Sequence, residues 1–199
     1  MNLVCLDLEG VLVPEIWINV ALETGIEELK LTTRDIADYD VLMRRRLEIL
    51  AENDLKLPDI QTVIAGMDPL DEAGSFLDVL RSRTQVILLS DTFTQFARPL
   101  MEKLGFPTLF CNTLVVSPDG RITDYILRQQ DGKRKAVEAM KSIGFHVVAA
   151  GDSYNDATML QAADAGIFFR APDTIKAEFP GFPCVETHAD LLGEIEKLI

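Results

Sequence analysis

The stretch Leu3-Val4-Cys5-Leu6-Asp7-Leu8-Glu9-Gly10 decides how the rest of the chain is read. Four apolar residues without alternation describe a strand buried on both faces, the condition of a parallel sheet covered by helices. The polar residues that follow then lie at the strand's carboxyl end. Similar apolar runs recur at residues 86–89, 108–111, 146–150, 166–169 and, weakly, 183–185, with helical patterns between them. This alternation predicts an α/β fold with a doubly wound, mostly parallel, Rossmann-like sheet. A helix is expected over 133–143 with Ala136, Val137, Met140 and Ile143 on its apolar stripe, and another from Tyr154 to about residue 163. Between residues 93 and 104 the pattern is helical but contains Pro99, which predicts a kink or two pieces. Residues 113–127, centred on Pro118-Asp119-Gly120, read as a hairpin leaving the sheet. Residues 15–69 break the rhythm, with several amphipathic helical stretches and no convincing strand. They are expected to form a helical insertion after the first strand, leaving 1–14 and 70–199 as the core domain.

Composition excludes several classes. With 199 residues, 48% hydrophobic and 26% charged, the chain is long enough for a real core and far from disordered or disulfide-scaffold compositions. A formal charge of −13 repels a phosphate backbone or an anionic membrane surface, so neither nucleic acid nor membrane is expected as a partner. Cys5, Cys111 and Cys184 cannot all pair within one chain and form no metal-ligand cluster, so they read as reduced core thiols. No apolar run approaches the ~18 residues of a membrane span, and the N-terminus lacks signal-peptide order. The expected compartment is the cytoplasm.

Ligands of open α/β sheets bind outside the carboxyl ends of the strands. Here those ends read Asp7-Leu8-Glu9-Gly10, Ser90-Asp91-Thr92 and Gly151-Asp152-Ser153-Tyr154-Asn155-Asp156. Any one of them is explained by turn formation or helix capping. Together they gather several carboxylates, a hydroxyl and, through Lys133, an ammonium. Crowded carboxylates call for a divalent cation, and Mg²⁺ suits them because it takes one or two carboxylates, keeps waters and completes its octahedron with a phosphate oxygen. Ser90, placed at a helix N-terminus, would offer that phosphate its hydroxyl and nearby N–H groups, and Lys133 a point charge. Lys133 and Lys135 compete for this role, and a solvated basic turn is the ordinary reading of Asp131-Gly132-Lys133-Arg134-Lys135.

In these motifs and their order, the chain resembles the haloacid dehalogenase superfamily of phosphatases. The resemblance implies that Asp7 is a nucleophile forming an aspartyl-phosphate and that Ser90 and Lys133 hold the phosphoryl group. Asp152 would bind Mg²⁺ beside Asp7, with the backbone carbonyl of Glu9 as the remaining protein ligand. Asn155 and Asp156 would support the site, with Asp91, Thr92 and Asn155 at the phosphate. The insertion resembles the small cap of the phosphoserine phosphatase group, in which a glutamate and an arginine read the amino and carboxylate groups of phosphoserine. These correspond best to Glu15 and Arg46. Arg46 falls on the apolar stripe of Met43, Leu47 and Leu50, where an inward guanidinium wants an anion; Arg45 is the alternative. Glu15 at a helix start is equally explained by the helix dipole. Most family members carry Asp two residues after the nucleophile, as acid and base. Glu9 departs from this and resembles members of the group that also transfer the phosphoryl group from phosphoserine to homoserine.

Two other readings remain. A receiver-type signalling module gathers Asp, Mg²⁺, hydroxyl and Lys at strand ends, but the insertion and the 152–156 motif argue against it. The other is a phosphatase of a sugar phosphate or nucleotide. Oligomeric state is not legible.

Overall fold

The computed structural model describes residues 1–33, 35, 36 and 38–199. Strand β1 (Asn2–Leu6) lies fourth in a seven-stranded sheet, parallel to β2 (Gln85–Phe93) on one side and to β5 (His146–Gly151) on the other. Beyond β2 come β3 (Thr108–Val116) and the antiparallel edge strand β4 (Ile122–Ile126); beyond β5 come β6 (Ala165–Phe169) and β7 (Cys184–Val185). The order β4-β3-β2-β1-β5-β6-β7 reverses direction between β1 and β5, so a crevice opens at their carboxyl ends. Asp7 and Asp152 follow those two strands.

The mostly parallel α/β fold is the one the apolar runs predict. Alternate residues of β1 feed the two faces: Val4 and Leu6 join one core, Leu3 and Cys5 the other. The first face is covered by α4 (Ala73–Arg83), α5 (Thr94–Lys103) and α9 (His188–Glu196). The second is covered by α6 (Gly132–Ser142), α7 (Tyr154–Ala162) and α8 (Asp173–Glu178). Between β1 and α4 the chain forms α1 (Ile16–Thr24), a 3₁₀ turn (Glu27–Lys30), α2 (Tyr39–Glu52) and α3 (Leu57–Gly66). Their apolar sides, including Trp17, Met43, Ile60 and Ile64, merge with the first core, and Trp17 meets Phe96 of α5 edge-on at 5.5 Å. Arg34 and Ala37 of this insertion lie outside the described residues.

Two local expectations need correction. Helix α5 runs unbroken through Pro99. Proline denies the Gln95 carbonyl its usual donor four residues on, and Gln61 of α3 supplies a side-chain N–H at 2.9 Å instead. The hairpin over 113–127 forms as expected: β3 pairs with β2 as far as Asn112, and beyond that Thr113–Val116 pair antiparallel with β4. Ile143 does not face the core; it caps α6 and is 68% exposed. The three cysteines are free thiols, and among the described residues no helix is long and apolar enough to cross a membrane.

Candidate active site

The ladder of β1 runs directly into the site, since the Asp7 N–H donates to Ala150 of β5 at 2.9 Å. The Asp7 carboxylate, buried, accepts from the Leu8 N–H at 2.7 Å and meets the Lys133 ammonium at 2.9 Å. Lys133, on the first turn of α6 and only 5% exposed, also bonds Asp156 at 2.7 Å, and Asp91 stands 3.9 Å away. Both oxygens of Asp156 are therefore engaged, because the second accepts from the N–H groups of Asp152 (3.0 Å) and Ser153 (3.1 Å). Lys133 is thus a buried member of the constellation and not part of a solvated turn. Lys135 is half-buried and does not border the cavity described below.

Two glycines permit this crowding. A methyl group on Gly151 would stand 2.3 Å from the Asp156 carboxyl carbon, and one on Gly10, whose φ is 78°, would stand 2.4 Å from that of Asp152.

Burial, and next the negative charge of Asp156, push the Asp7 carboxyl above its ordinary range, while Lys133 pulls it down. Burial works against the Lys133 ammonium, but the carboxylates of Asp156, Asp7 and Asp91 outweigh it and keep the lysine charged. Oxygens of Asp7, Asp152 and Asp156 lie within 4.8 Å of one another. Three carboxylates against one buried ammonium leave the site short of positive charge, and the all-oxygen donor set fits a hard divalent ion such as Mg²⁺. With Asp156 engaged, Asp7 and Asp152 are the carboxylates suited to hold it.

Ser90 is buried beside this cluster but is not at a helix N-terminus. Strand β2 continues through Ser90-Asp91-Thr92 to Phe93, with a register shift against β3 between Leu89 and Phe93, and α5 begins only at Thr94. Such an irregularity re-aims side chains at a strand end. Ser90 Oγ accepts from the Thr92 N–H at 3.1 Å, and the Asn155 amide donates to the Asp91 carboxylate at 3.0 Å.

These side chains form one wall of a cavity of about 280 Å³. The insertion supplies the other. Glu15 precedes α1, and the first N–H of that helix, on Ile16, donates to Glu9 at 2.8 Å, so Glu9 occupies the helix N-terminus. Burial, and next the charge of Glu15, push the Glu9 carboxyl up to about 8. Arg46, 7% exposed, donates to the Leu31 carbonyl at 2.8 Å and lies 4.6 Å over the Trp17 ring. Burial lowers its pKa to about 10, leaving it charged at neutral pH, and its buried Nε has no partner among the described residues. Arg45 is turned outward to Glu28 and Glu48.

Sequence reasoning missed three residues here. Trp17 and Tyr39 line the cavity, and the Tyr39 hydroxyl donates to the Asp91 backbone carbonyl at 3.0 Å. His188, at the start of α9, sits between Phe76 (5.2 Å) and Phe169 (4.8 Å), and its Nε2 is 2.8 Å from the Val11 carbonyl in the loop after Glu9. Only the aromatic character of Trp17 and Tyr39 within a helical insertion could have signalled them; nothing local marks His188.

Over residues 1–164 the sequence matches the haloacid dehalogenase-like hydrolase family, and the chain belongs to it; it is an enzyme of that family. It is 58% identical over 197 residues to the phosphoserine phosphatase ThrH of Pseudomonas aeruginosa, a match spanning 99% of this chain and 96% of that protein. Among solved structures it resembles a phosphoserine phosphatase in apo form (TM-score 0.77, 27% identity, 94% of each chain). It also resembles a phospho-aspartyl intermediate analogue of phosphoserine phosphatase (TM-score 0.74, 26% identity, 94% of this chain and 93% of the other).

Proposed function

We propose that the chain is a Mg²⁺-dependent phosphoserine phosphatase that works through an aspartyl-phosphate on Asp7 and also passes the phosphoryl group to homoserine. The observation that carries this reading is the placement of Asp7, Glu9 and Lys133 on one wall of a small cavity whose other wall holds Glu15 and Arg46. The names of its relatives support phosphoserine as the substrate. In this reading residues 15–69 are a cap over a core of 1–14 and 70–199.

The phosphoryl group lies against Lys133, Ser90 and Asn155, with Asp91 and Thr92 bordering it. Glu15 takes the substrate ammonium, and Arg46, which lines the cavity, takes the carboxylate. An Asp7 oxygen attacks phosphorus as the phosphorus–serine oxygen bond breaks, and Glu9, protonated at neutral pH, gives its proton to the leaving serine oxygen. In the second half Glu9, now a carboxylate, takes a proton from water. The oxygen attacks phosphorus, the bond to Asp7 breaks, and free phosphate and the starting carboxylate result. Mg²⁺ held by Asp7, Asp152 and the Glu9 carbonyl would neutralise charge on the phosphoryl oxygens, with Asp156 keeping Lys133 and the 152–153 backbone in place.

Homoserine carries the ammonium and carboxylate of serine, so it fits the vacated position and its hydroxyl replaces water. The longer arm of Glu9, relative to Asp, disfavours activation of a small untethered water more than of an alcohol already oriented by Glu15 and Arg46. Phosphorus NMR of phosphoserine incubated with and without homoserine tests the reading. Free phosphate and phosphohomoserine are expected, both stopped by EDTA and restored by Mg²⁺, with Glu9→Asp moving the partition toward free phosphate. No phosphate from phosphoserine overturns the assignment; phosphate without phosphohomoserine leaves a plain phosphatase.

A further inference from the structure

A second cavity, of about 780 Å³, lies beside the first, toward Gln130, Thr158 and Thr174. The two share Thr33, Tyr39, Asp91, Lys133, Ser153 and Asn155 among the described residues. Asp91, Lys133, Ser153 and Asn155 belong to the strand-end cluster, so the phosphoryl position stands at the junction of both spaces. Thr33 is short. Tyr39 is the one large ring among the described residues of the boundary.

That ring is held from several sides. Its hydroxyl donates to the Asp91 carbonyl at 3.0 Å, an acceptor it shares with the Asn112 amide, also at 3.0 Å. It packs against Tyr125 on β4 in a T-shaped pair with centroids 5.9 Å apart and planes at 85°. Tyr125 in turn donates to Asp40, the next residue of α2, at 2.5 Å, and Asp38 caps that helix through the N–H groups of Asp40 (2.9 Å) and Val41 (3.1 Å). Swinging the ring aside breaks the hydroxyl bond to Asp91 and gives up the contact with Tyr125. The first cavity alone sits at the small end of ligand sites, which run to about 300–1,000 Å³. Joined to the second, whose added lining is mainly amide and hydroxyl, it would accommodate far larger leaving groups.

We infer that Tyr39 is a specificity-determining partition that confines the enzyme to phosphomonoesters of amino-acid-sized alcohols and excludes aryl phosphomonoesters. The inference deepens the proposed function and rests on it. Its test is the ratio of kcat/KM for 4-nitrophenyl phosphate to that for phosphoserine. Tyr39→Ala is expected to raise this ratio about tenfold or more, the scale on which pocket size discriminates. Tyr39→Phe, which keeps the ring, should leave the ratio close to wild type, and Tyr39→Trp should lower it. A merely structural role would depress both esters together and leave the ratio unchanged; that result in a Tyr39→Ala protein with a cooperative melt overturns the inference, as does a rise in Tyr39→Phe equal to that in Tyr39→Ala. Should Tyr39→Ala not fold, Tyr39→Leu and Tyr39→Trp, shifting the ratio in opposite directions, carry the same test. A wild-type enzyme inert toward phosphoserine breaks the functional reading instead, and shows it before any variant is made.

Discussion

The two walls of the cavity are built on opposite principles. On the strand-end wall the buried charged groups are already bonded to one another: Lys133 reaches Asp7 at 2.9 Å and Asp156 at 2.7 Å, and Asp156 takes two backbone N–H groups besides. On the wall from the insertion, Arg46 keeps a buried Nε without a partner among the described residues, and the first N–H of α1 reaches across to Glu9 of the strand end, whose carboxyl is pushed up to about 8. Groups paired in advance cost nothing to reorganise when charge develops on the substrate, which is where preorganisation is worth most. Groups left incomplete discriminate, because a ligand lacking the matching atom leaves them unsatisfied. The first wall is suited to chemistry common to any phosphomonoester, the second to recognising one.

Substitutions should therefore separate rate from recognition, and the largest effect belongs to the strand ends. Asp7→Asn is expected to lower phosphate release by at least about 10³-fold while the protein still melts cooperatively, because the covalent route is gone and the fold is not. Phosphoenzyme detected by mass spectrometry in that variant would sink the assignment of the nucleophile. Next, Lys133→Met should cost about 3–5 kcal/mol in urea denaturation, since it strands two buried carboxylates, and should reduce kcat for every phosphoester alike. Normal stability in Lys133→Met would mean that the ammonium is not what holds Asp7 and Asp156 together.

On the other wall, Arg46→Leu should raise KM for phosphoserine roughly 10- to 100-fold, the scale of a charge-assisted hydrogen bond, and leave phosphoethanolamine, which has no carboxylate, little affected. Equal losses on both esters would reduce Arg46 to packing against Trp17. The smallest effect is in the pH profile. In the proposed mechanism Glu9 is protonated for the first half-reaction, and its pKa is raised, so kcat/KM should be level at lower pH and decline as pH rises through about 8. Glu9→Gln should remove that limb, and its persistence there would assign it to another group.

The strand-end wall was largely legible in the sequence, and the physical reason is locality. Asp7, Ser90 and Asp152 each follow an uninterrupted apolar run, so the pattern that identifies the strand also places the polar residue at its carboxyl end. Gly10 and Gly151 stand beside the carboxylates whose close approach requires them. Arg46 was legible for a related reason, as a charge on an apolar helical stripe. Contacts that close over long stretches of chain leave no such trace. The Tyr39 hydroxyl meets the backbone of Asp91, 52 residues on, and His188 reaches Val11 across 177. Ser90 was misplaced at a helix start because Asp-Thr after an apolar run reads as a cap, whereas pairing with β3 carries the strand on to Phe93. The hairpin over 113–126 was legible because its turn, Pro118-Asp119-Gly120, is marked locally.

His188 also bears on where this protein can be divided. The stretch that matches the family ends at residue 164, yet β6, β7 and α9 come after it. A chain cut there would lose the strand that pairs with β5 through Val148 to Gly151, turning a central strand into an open edge that other molecules can add to. It would also take the imidazole from the Val11 carbonyl, beside Glu9, and the ring cover from Phe76. Such a fragment should precipitate, and it should be inactive even in the fraction that stays dissolved. The segment that matches the family is shorter than the segment needed to cover the edge of β5.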